Sequence, residues 1–312
     1  MKPFVNILIC TYNNKDIIDD VLKSVRSQTY RHYDCTIIDD HSSDDIASYI
    51  KKKFPWVRVI VKRKNSGPAE GRNLGIQLTK GKYIVALDSD VEIQANWLAS
   101  MVEVMEIYPK AAIGGCKLIY ARKKNVINSA GGTLTKTGIG KDIGKGDSIK
   151  THTTTIDVLY ACSAAMIIRR SALKKIGMFD AAYCYGHEDP DLGWRANVAG
   201  FTVRYNPSTI AYHRLNETVQ RYSSGLAFHG VKNRIRSVLK NYEPWNAIKY
   251  VSLYGILLMG DIILHPYRKE KIYAVWWNVM HIADTLHERK KVQATRKKTD
   301  QQLFPLFDNA LY

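Results

Sequence analysis

The feature that most constrains this chain is a rhythm: over roughly its first hundred residues, short β-rich runs alternate with helical patterns. Strands are expected over 4–10, 35–39, 57–62 and 83–87, and helices over 16–28, 43–52, 69–79 and 95–108. In the first helix Ile17, Ile18, Val21, Leu22 and Val25 recur at three- and four-residue spacing, while Asp19, Asp20, Lys23 and Arg26 take the opposite face. Such alternation predicts an α/β fold, a mostly parallel sheet flanked by helices. Ligands of open sheets of this class bind beyond the carboxyl ends of the strands. The polar residues that directly follow each strand are therefore the ones to read.

Three polar clusters follow strands one, two and four: Thr11-Tyr12-Asn13, Asp39-Asp40-His41-Ser42 and Asp88-Ser89-Asp90. They should converge along one sheet edge. Asp88 and Asp90 emerge from an apolar run two residues apart, a spacing that suits turn chemistry but also a hard divalent cation whose shell a diphosphate completes. A second cluster is Tyr185-Gly186-His187-Glu188-Asp189-Pro190-Asp191-Leu192-Gly193-Trp194-Arg195. Here Asp189 reads as a helix N-cap with Pro190 in the first helical position. A carboxylate so fixed at a helix end can also accept a proton from a hydroxyl. His213 lies just beyond a strand expected over 202–206, and spacing in sequence does not bring it near Asp90. Strand-like runs also cover 155–159 and 166–169, residues 128–150 read as an irregular excursion over the sheet edge, and no internal repeat is evident.

With 312 residues and 46% hydrophobic content, the chain can bury one sizeable core plus a smaller appendage. Its five cysteines are scattered, odd in number and free of CxxC pairs, which argues against a disulfide framework or structural zinc and fits a reducing, cytoplasmic compartment. The apolar run after Lys2 is short and broken by Asn6, and reads as a strand rather than a leader. A net charge of +17 calls for an anionic partner. Residues 215–312 carry 15 Lys and Arg against 8 Asp and Glu, interleaved with Trp245, Trp276 and Trp277, a mixture that suits a membrane interface. Residues 247–264 are borderline for the roughly 20 residues that span a bilayer. Ile272, Trp276, Val279, Ala283 and Leu286 share a helical face near the basic runs Arg268-Lys269 and Arg289-Lys290-Lys291. Two interfacial helices docked on the cytoplasmic face of a membrane would hold the chain at that surface. Packing on the rest of the chain, or a homo-oligomer contact through these helices, is the alternative.

Taken together, Ile9-Cys10-Thr11-Tyr12-Asn13, Ile38-Asp39-Asp40-His41-Ser42, Asn65-Ser66-Gly67-Pro68-Ala69-Glu70-Gly71-Arg72-Asn73, Leu87-Asp88-Ser89-Asp90 and His187-Glu188-Asp189-Pro190-Asp191-Leu192 resemble the family 2 glycosyltransferases, in particular their rhamnosyltransferase-like members. The resemblance covers about residues 4–215, while the C-terminal hundred match loosely through Lys232-Asn233-Arg234. It implies the GT-A fold with a catalytic domain at 1–215, divided near 118 into a nucleotide-binding half and an acceptor half, and a basic, aromatic-rich helical extension over 216–312. It further implies an inverting transfer of a hexosyl or rhamnosyl group from a UDP- or dTDP-linked donor to a glycan or lipid-linked acceptor in cell-surface polysaccharide or glycolipid assembly.

In such enzymes Thr11, Tyr12, Asn13 and Asp40 would hold the nucleobase and ribose, and Arg72 would approach the base or diphosphate. Asp88 would contact the ribose or a metal-bound water. Asp90 and His213 would hold Mg²⁺ or Mn²⁺, and Asp189 would be the general base. Glu188, Asp191 and Trp194 would shape the acceptor or sugar pocket, with helix packing the other reading of Trp194. A sugar-nucleotide pyrophosphorylase should instead carry a Gly-rich basic phosphate loop after strand one, where this chain has Thr11-Tyr12-Asn13-Asn14. Nucleic-acid binding would explain the charge but leave the carboxylate clusters without purpose, and no aromatic RNA-binding signature is present. An inactive nucleotide-sugar-binding relative is the remaining alternative.

Overall fold

In the computed structural model, which describes residues 2–214 and 224–310, the expected rhythm opens the chain: β1 (Val5–Thr11), α1 (Ile18–Arg26), β2 (Tyr33–Asp39), α2 (Ile46–Lys53), β3 (Arg58–Val61), α3 (Pro68–Gln77) and β4 (Tyr83–Asp88). Next come β5 (Val91–Ile93), α4 (Trp97–Ile107), β6 (Ala111–Tyr120) and β7 (Lys123–Ser129). A short hairpin of β8 (Gly132–Leu134) and β9 (Gly140–Asp142) occupies part of the stretch read as irregular. Then follow β10 (Ile156–Val158), β11 (Ala165–Arg169), α5 (Arg170–Ile176), α6 (Glu188–Val198) and β12 (Thr202–His213). The C-terminal part is helical: α7 (Ser224–Asn241), α8 (Pro244–Leu264), α9 (Arg268–Met280), α10 (Ile282–Thr295) and α11 (Asp300–Leu303).

The main sheet runs β10-β12-β6-β11-β4-β1-β2-β3, with β5 added to β12 and β7 to β6. The β3-β2-β1-β4 block is parallel, and β11 joins it antiparallel to β6. Alternation along the strands sorts side chains to two faces. Val5, Ile7, Ile9, Val85 and Leu87 pack with α1, α2 and α4. Leu8, Ile38, Ile84 and Ala86 pack with α3, α5 and α6. In α1 the buried residues are Ile18, Val21, Leu22 and Val25, four of the five expected.

The boundary placed at 215/216 lies outside the described residues. On either side of it the chain shares one core: Leu134, Leu159, Tyr160, Trp194 and Val198 pack with Val238, Tyr242, Ala247, Tyr250 and Phe307. Gly193 makes this approach possible, because a Cβ there would lie 2.6 Å from the Leu159 carbonyl oxygen and from Tyr160. All five cysteines are free.

Candidate active site

Parallel registry aligns the ends of three strands, Thr11 opposite Asp39 and Cys10 opposite Asp88, so the polar clusters that follow meet at one edge. The chain then reverses at Ser89-Asp90 into β5, which pairs antiparallel with the end of β12 and sets Val91 opposite His213. Arg214 N–H donates to the Asp90 carbonyl (2.9 Å), locking that reversal. As a result His213 Nε2 lies 3.5 Å from Asp90 Oδ1, and ligand atoms of Asp88, Asp90 and His213 all fall within 4.8 Å of one another. The strand expected to end at 206 continues through His213, which makes the histidine part of the sheet edge. Asn128 Oδ1 sits 3.0 Å from His213 Nδ1, so in the neutral ring Nδ1 carries the proton and Nε2 offers its lone pair. Two carboxylates and an imidazole fit the donor chemistry of Mn²⁺ or Mg²⁺. Burial opposes a charge on His213, but the neighbouring Asp90 carboxylate outweighs it and raises the pKa.

Across the cleft, α6 begins at Glu188, with His187 as its N-cap in the left-handed region (φ 74°). Asp189 is therefore inside the first turn rather than at the cap, and Pro190 follows in that same turn. Instead of capping, Asp189 Oδ2 accepts from Ser163 N–H at 2.9 Å. Burial, then the adjacent Glu188 charge, pushes its carboxyl up to about 7. Arg72 spans the cleft floor: Nη1 donates to Glu188 Oε1 and Nη2 to Asp88 Oδ1, both at 2.8 Å. Among the described residues the buried Thr11 Oγ1 and Glu188 Oε2 have no hydrogen-bond partner, as expected of atoms that wait for a ligand. The preceding loop holds Cys184 and His187 at positive φ, a conformation that surrounding contacts must enforce. Gly67 packs beneath it, where a Cβ would stand 2.2 Å from the Cys184 carbonyl oxygen. Asn233 of α7 donates to the carbonyls of Tyr183, Tyr185 and Gly186.

Thr11, Tyr12, Asp40, Arg72, Asp88, Asp90, Glu188, Asp189 and His213 all line a single cleft of about 490 Å³. Asp40 also holds the fold, since Oδ1 accepts from Lys62 Nζ (2.6 Å) and Ser66 N–H while Oδ2 accepts from Gly67 N–H. Three expected residues lie elsewhere. Asn13 enters the left-handed region (φ 52°), and its Oδ1 accepts from Ser43 N–H, so Asn14 lines the cleft in its place. Asp191 is fully buried among Arg195, Lys240, Tyr183 and Asn241. Trp194 is fully buried too, its ring 4.6 Å from Tyr242 and 5.2 Å from Phe307, which is the packing role. The helical turn carries both away from the face that bears Asp189. Ser163 and Asn128 were not singled out from the sequence, and Tyr185 only as the first residue of the second cluster. Ser163 acts through its backbone N–H, which leaves no side-chain signature, and Asn128 opens the stretch that reads as irregular.

Comparison with known proteins agrees with this geometry. A family model described as glycosyl transferase family 2 matches residues 6–177, more than half of the chain. The chain is 27% identical over 266 residues to poly-beta-1,6-N-acetyl-D-glucosamine synthase of Staphylococcus epidermidis, covering 83% of this chain and 61% of that protein. It thus spans about three-fifths of that relative's length. Among solved structures, GalNAc-T7 with UDP, GalNAc and Mn²⁺ superimposes with a TM-score of 0.65 at 18% identity, over 81% of this chain and 50% of that one. A mannosyltransferase from Pyrobaculum calidifontis, in complex with GDP-Man and Mn²⁺, gives 0.57 at 13% identity over 95% and 86%. These likenesses establish the GT-A fold. With its family model, its strand-end carboxylates and its fold in agreement, this chain belongs to glycosyl transferase family 2.

Proposed function

We propose that this chain is an inverting, metal-dependent glycosyltransferase that moves a hexosyl or rhamnosyl group from a UDP- or dTDP-linked donor to an acceptor hydroxyl in cell-surface polysaccharide or glycolipid assembly. One observation carries the reading: the Asp88, Asp90 and His213 ligand atoms and the Asp189 carboxyl line one cleft. Tyr12, half exposed at that cleft, would lie against the nucleobase, with Thr11 Oγ1 and Asp40 Oδ2 accepting from base or ribose donors. Asp90 and His213, with Asp88, would hold Mn²⁺ or Mg²⁺. Such an ion stabilises charge that develops on the departing diphosphate. Arg72 keeps Asp88 and Glu188 in place, and Glu188 Oε2 would accept from a donor-sugar hydroxyl. Asp189 would remove the acceptor proton as the hydroxyl oxygen bonds to the anomeric carbon. The bond to the diphosphate oxygen breaks on the opposite face, so one displacement inverts the configuration. A carboxyl near pKa 7 is matched to that task at neutral pH.

The C-terminal helices support a peripheral place on the cytoplasmic membrane face. α8 is long and apolar enough to cross a bilayer, with mean hydropathy 1.6 over its best window. Yet Ala247, Tyr250, Tyr254 and Leu258 are buried against the protein, so lipid cannot surround it. Trp245, Ile256, Met259, Ile263, Leu264, Ile272, Trp276 and Val279 remain exposed, and Arg268 and Lys269 at the start of α9 are exposed too, as in helices that lie on an anionic leaflet.

The test is a panel of nucleoside-diphosphate sugars with Mn²⁺ or Mg²⁺ and a membrane-lipid extract as acceptor, following nucleoside-diphosphate release. Release from one donor, dependent on metal and lost in Asp189→Asn, supports the transferase; absence of both release and nucleotide binding overturns it.

A further inference from the structure

A second cavity, of about 470 Å³, lies between the β8–β9 hairpin and α7–α9. It shares Tyr185 and Gly186 with the catalytic cleft, so the two spaces meet at the loop that leads into Asp189. The donor-side groups Thr11, Asp40 and Asp88 line only the first cavity.

The walls of the second cavity are selective in their chemistry. Asn233 is 1% exposed, its amide nitrogen is engaged by the 183–186 carbonyls, and its Oδ1 has no partner among the described residues. His229 Nδ1 is also buried without a partner among the described residues. In the neutral ring with the proton on Nε2, Nδ1 is an acceptor. Burial and the neighbouring Lys232 hold this imidazole at a pKa of about 4, so it is neutral in use. Two buried acceptors without partners call for a ligand rich in hydroxyl donors, and do not suit a bare phosphate. The basic groups on the wall are engaged already: Arg234 Nε donates to Thr137 O (2.7 Å) and Lys271 pairs with Asp261 (2.7 Å). Tyr185, 42% exposed, adds an aromatic face at the junction. At the far end Tyr254, Asp261 and Lys271 belong to α8 and α9, whose outer surfaces expose Ile256, Met259, Ile263 and Ile272.

We infer that this second cavity is the acceptor subsite, and that it takes the saccharide end of an amphiphile whose apolar tail leaves along the exposed faces of α8 and α9. The inference rests on the transferase reading above. In that arrangement the acceptor hydroxyl passes Tyr185 to reach Asp189 from the side opposite the nucleotide.

Gly230 allows a direct test. It lines the cavity on α7, and among the described residues a Cβ there meets nothing within 4 Å, so a side chain can grow there without displacing any of them. The probes are maltose, octyl maltoside and dodecyl maltoside below their micelle thresholds, with dodecyl dimethylamine oxide as a sugar-free tail, titrated calorimetrically into wild type, Gly230→Ala and Gly230→Phe. The expected result is affinity that rises from maltose to dodecyl maltoside, is kept in Gly230→Ala, and falls at least tenfold in Gly230→Phe. UDP or dTDP binding with Mn²⁺ should change less than twofold across all three proteins. No maltoside binding to wild type, undiminished binding to Gly230→Phe, equal binding of the sugar-free tail, or no gain from maltose to its dodecyl form would each overturn the inference. Loss of nucleotide binding in every protein would instead overturn the transferase reading, which keeps the two failures apart.

Discussion

Asp189 and Asp191 stand two residues apart in the first turns of α6, and their surroundings are opposite. Asp189 accepts one backbone hydrogen bond, sits beside the like charge of Glu188, and has its carboxyl raised to about 7. Asp191 meets Arg195 Nε at 2.8 Å, Lys240 Nζ at 2.9 Å, the Tyr183 hydroxyl and the Asn241 amide. Burial pushes the Asp191 carboxyl up as well, but Arg195 and Lys240 outweigh it and hold it far below the usual range. The lesson is that burial alone assigns no role. A buried carboxylate deprived of partners becomes a base that can take up a proton, whereas one surrounded by cations and donors becomes a fixed anion that ties α6 to α7.

The largest expected effect breaks the reactive side. Asp189→Asn should lower kcat/KM by about 10²–10⁴-fold while nucleotide binding persists, measured by product release and calorimetry. Its stability effect should depend on pH. The folded state keeps the Asp189 proton up to about pH 7, whereas the unfolded chain loses it near its ordinary value of about 4. The stabilisation that this proton uptake brings is complete below the lower value and gone above the upper one. At pH 8 the asparagine variant should therefore melt at or above the wild-type Tm, and that advantage should shrink by pH 5 and vanish below about pH 4. A variant that melts well below wild type at pH 8 would show that Asp189 is an anchor too.

Next comes the structural side. Asp191→Ala leaves Lys240 and Arg195 buried without this partner and should cost about 3–5 kcal/mol of unfolding free energy in denaturant titrations. Because the Asp191 pKa is depressed, its contribution is present above about pH 4 and is lost as the pH falls below that. Wild type should therefore lose stability below pH 4 more steeply than the variant. Trp194→Ala should cost a comparable amount, about 3–5 kcal/mol for a buried aromatic, with donor affinity unchanged in the folded fraction. Trp194 belongs to the same anchored face, and a large loss of donor affinity would place it in the site.

The smallest effect sharpens the comparison. Glu188→Gln removes the like charge beside Asp189 and should move the acid limb of the kcat/KM profile to lower pH. An unmoved limb would assign the raised carboxyl to burial alone.

Much of this was legible in the residues. Hydrophobic period placed the opening strands and helices, and the buried face of α1 follows its three- and four-residue spacing. The rule that ligands lie beyond strand ends found Thr11, Tyr12, Asp40, Asp88 and Asp90, which line the cleft. Other features escaped because they depend on pairing between distant segments. His213 reaches Asp90 only because β5 pairs with the end of β12. Asn13 yields its place to Asn14 at a turn where Asn13 itself is left-handed, a local conformation that residue type alone does not reveal.

The sequence by itself determined the α/β class, the three polar strand ends, the cluster of acids at the start of α6 and the basic, aromatic character of the C-terminal helices. These are local properties of period and residue type. Only the tertiary structure decided which carboxylate in that cluster has its pKa raised and which has it depressed, because pKa depends on what surrounds a group. Ser163 lies 26 residues from Asp189, and Arg72 lies 116 from Glu188. Lys240, which fixes Asp191, comes from a helix beyond the strand that carries His213. Chain folding sets those neighbours, and the neighbours set the charge.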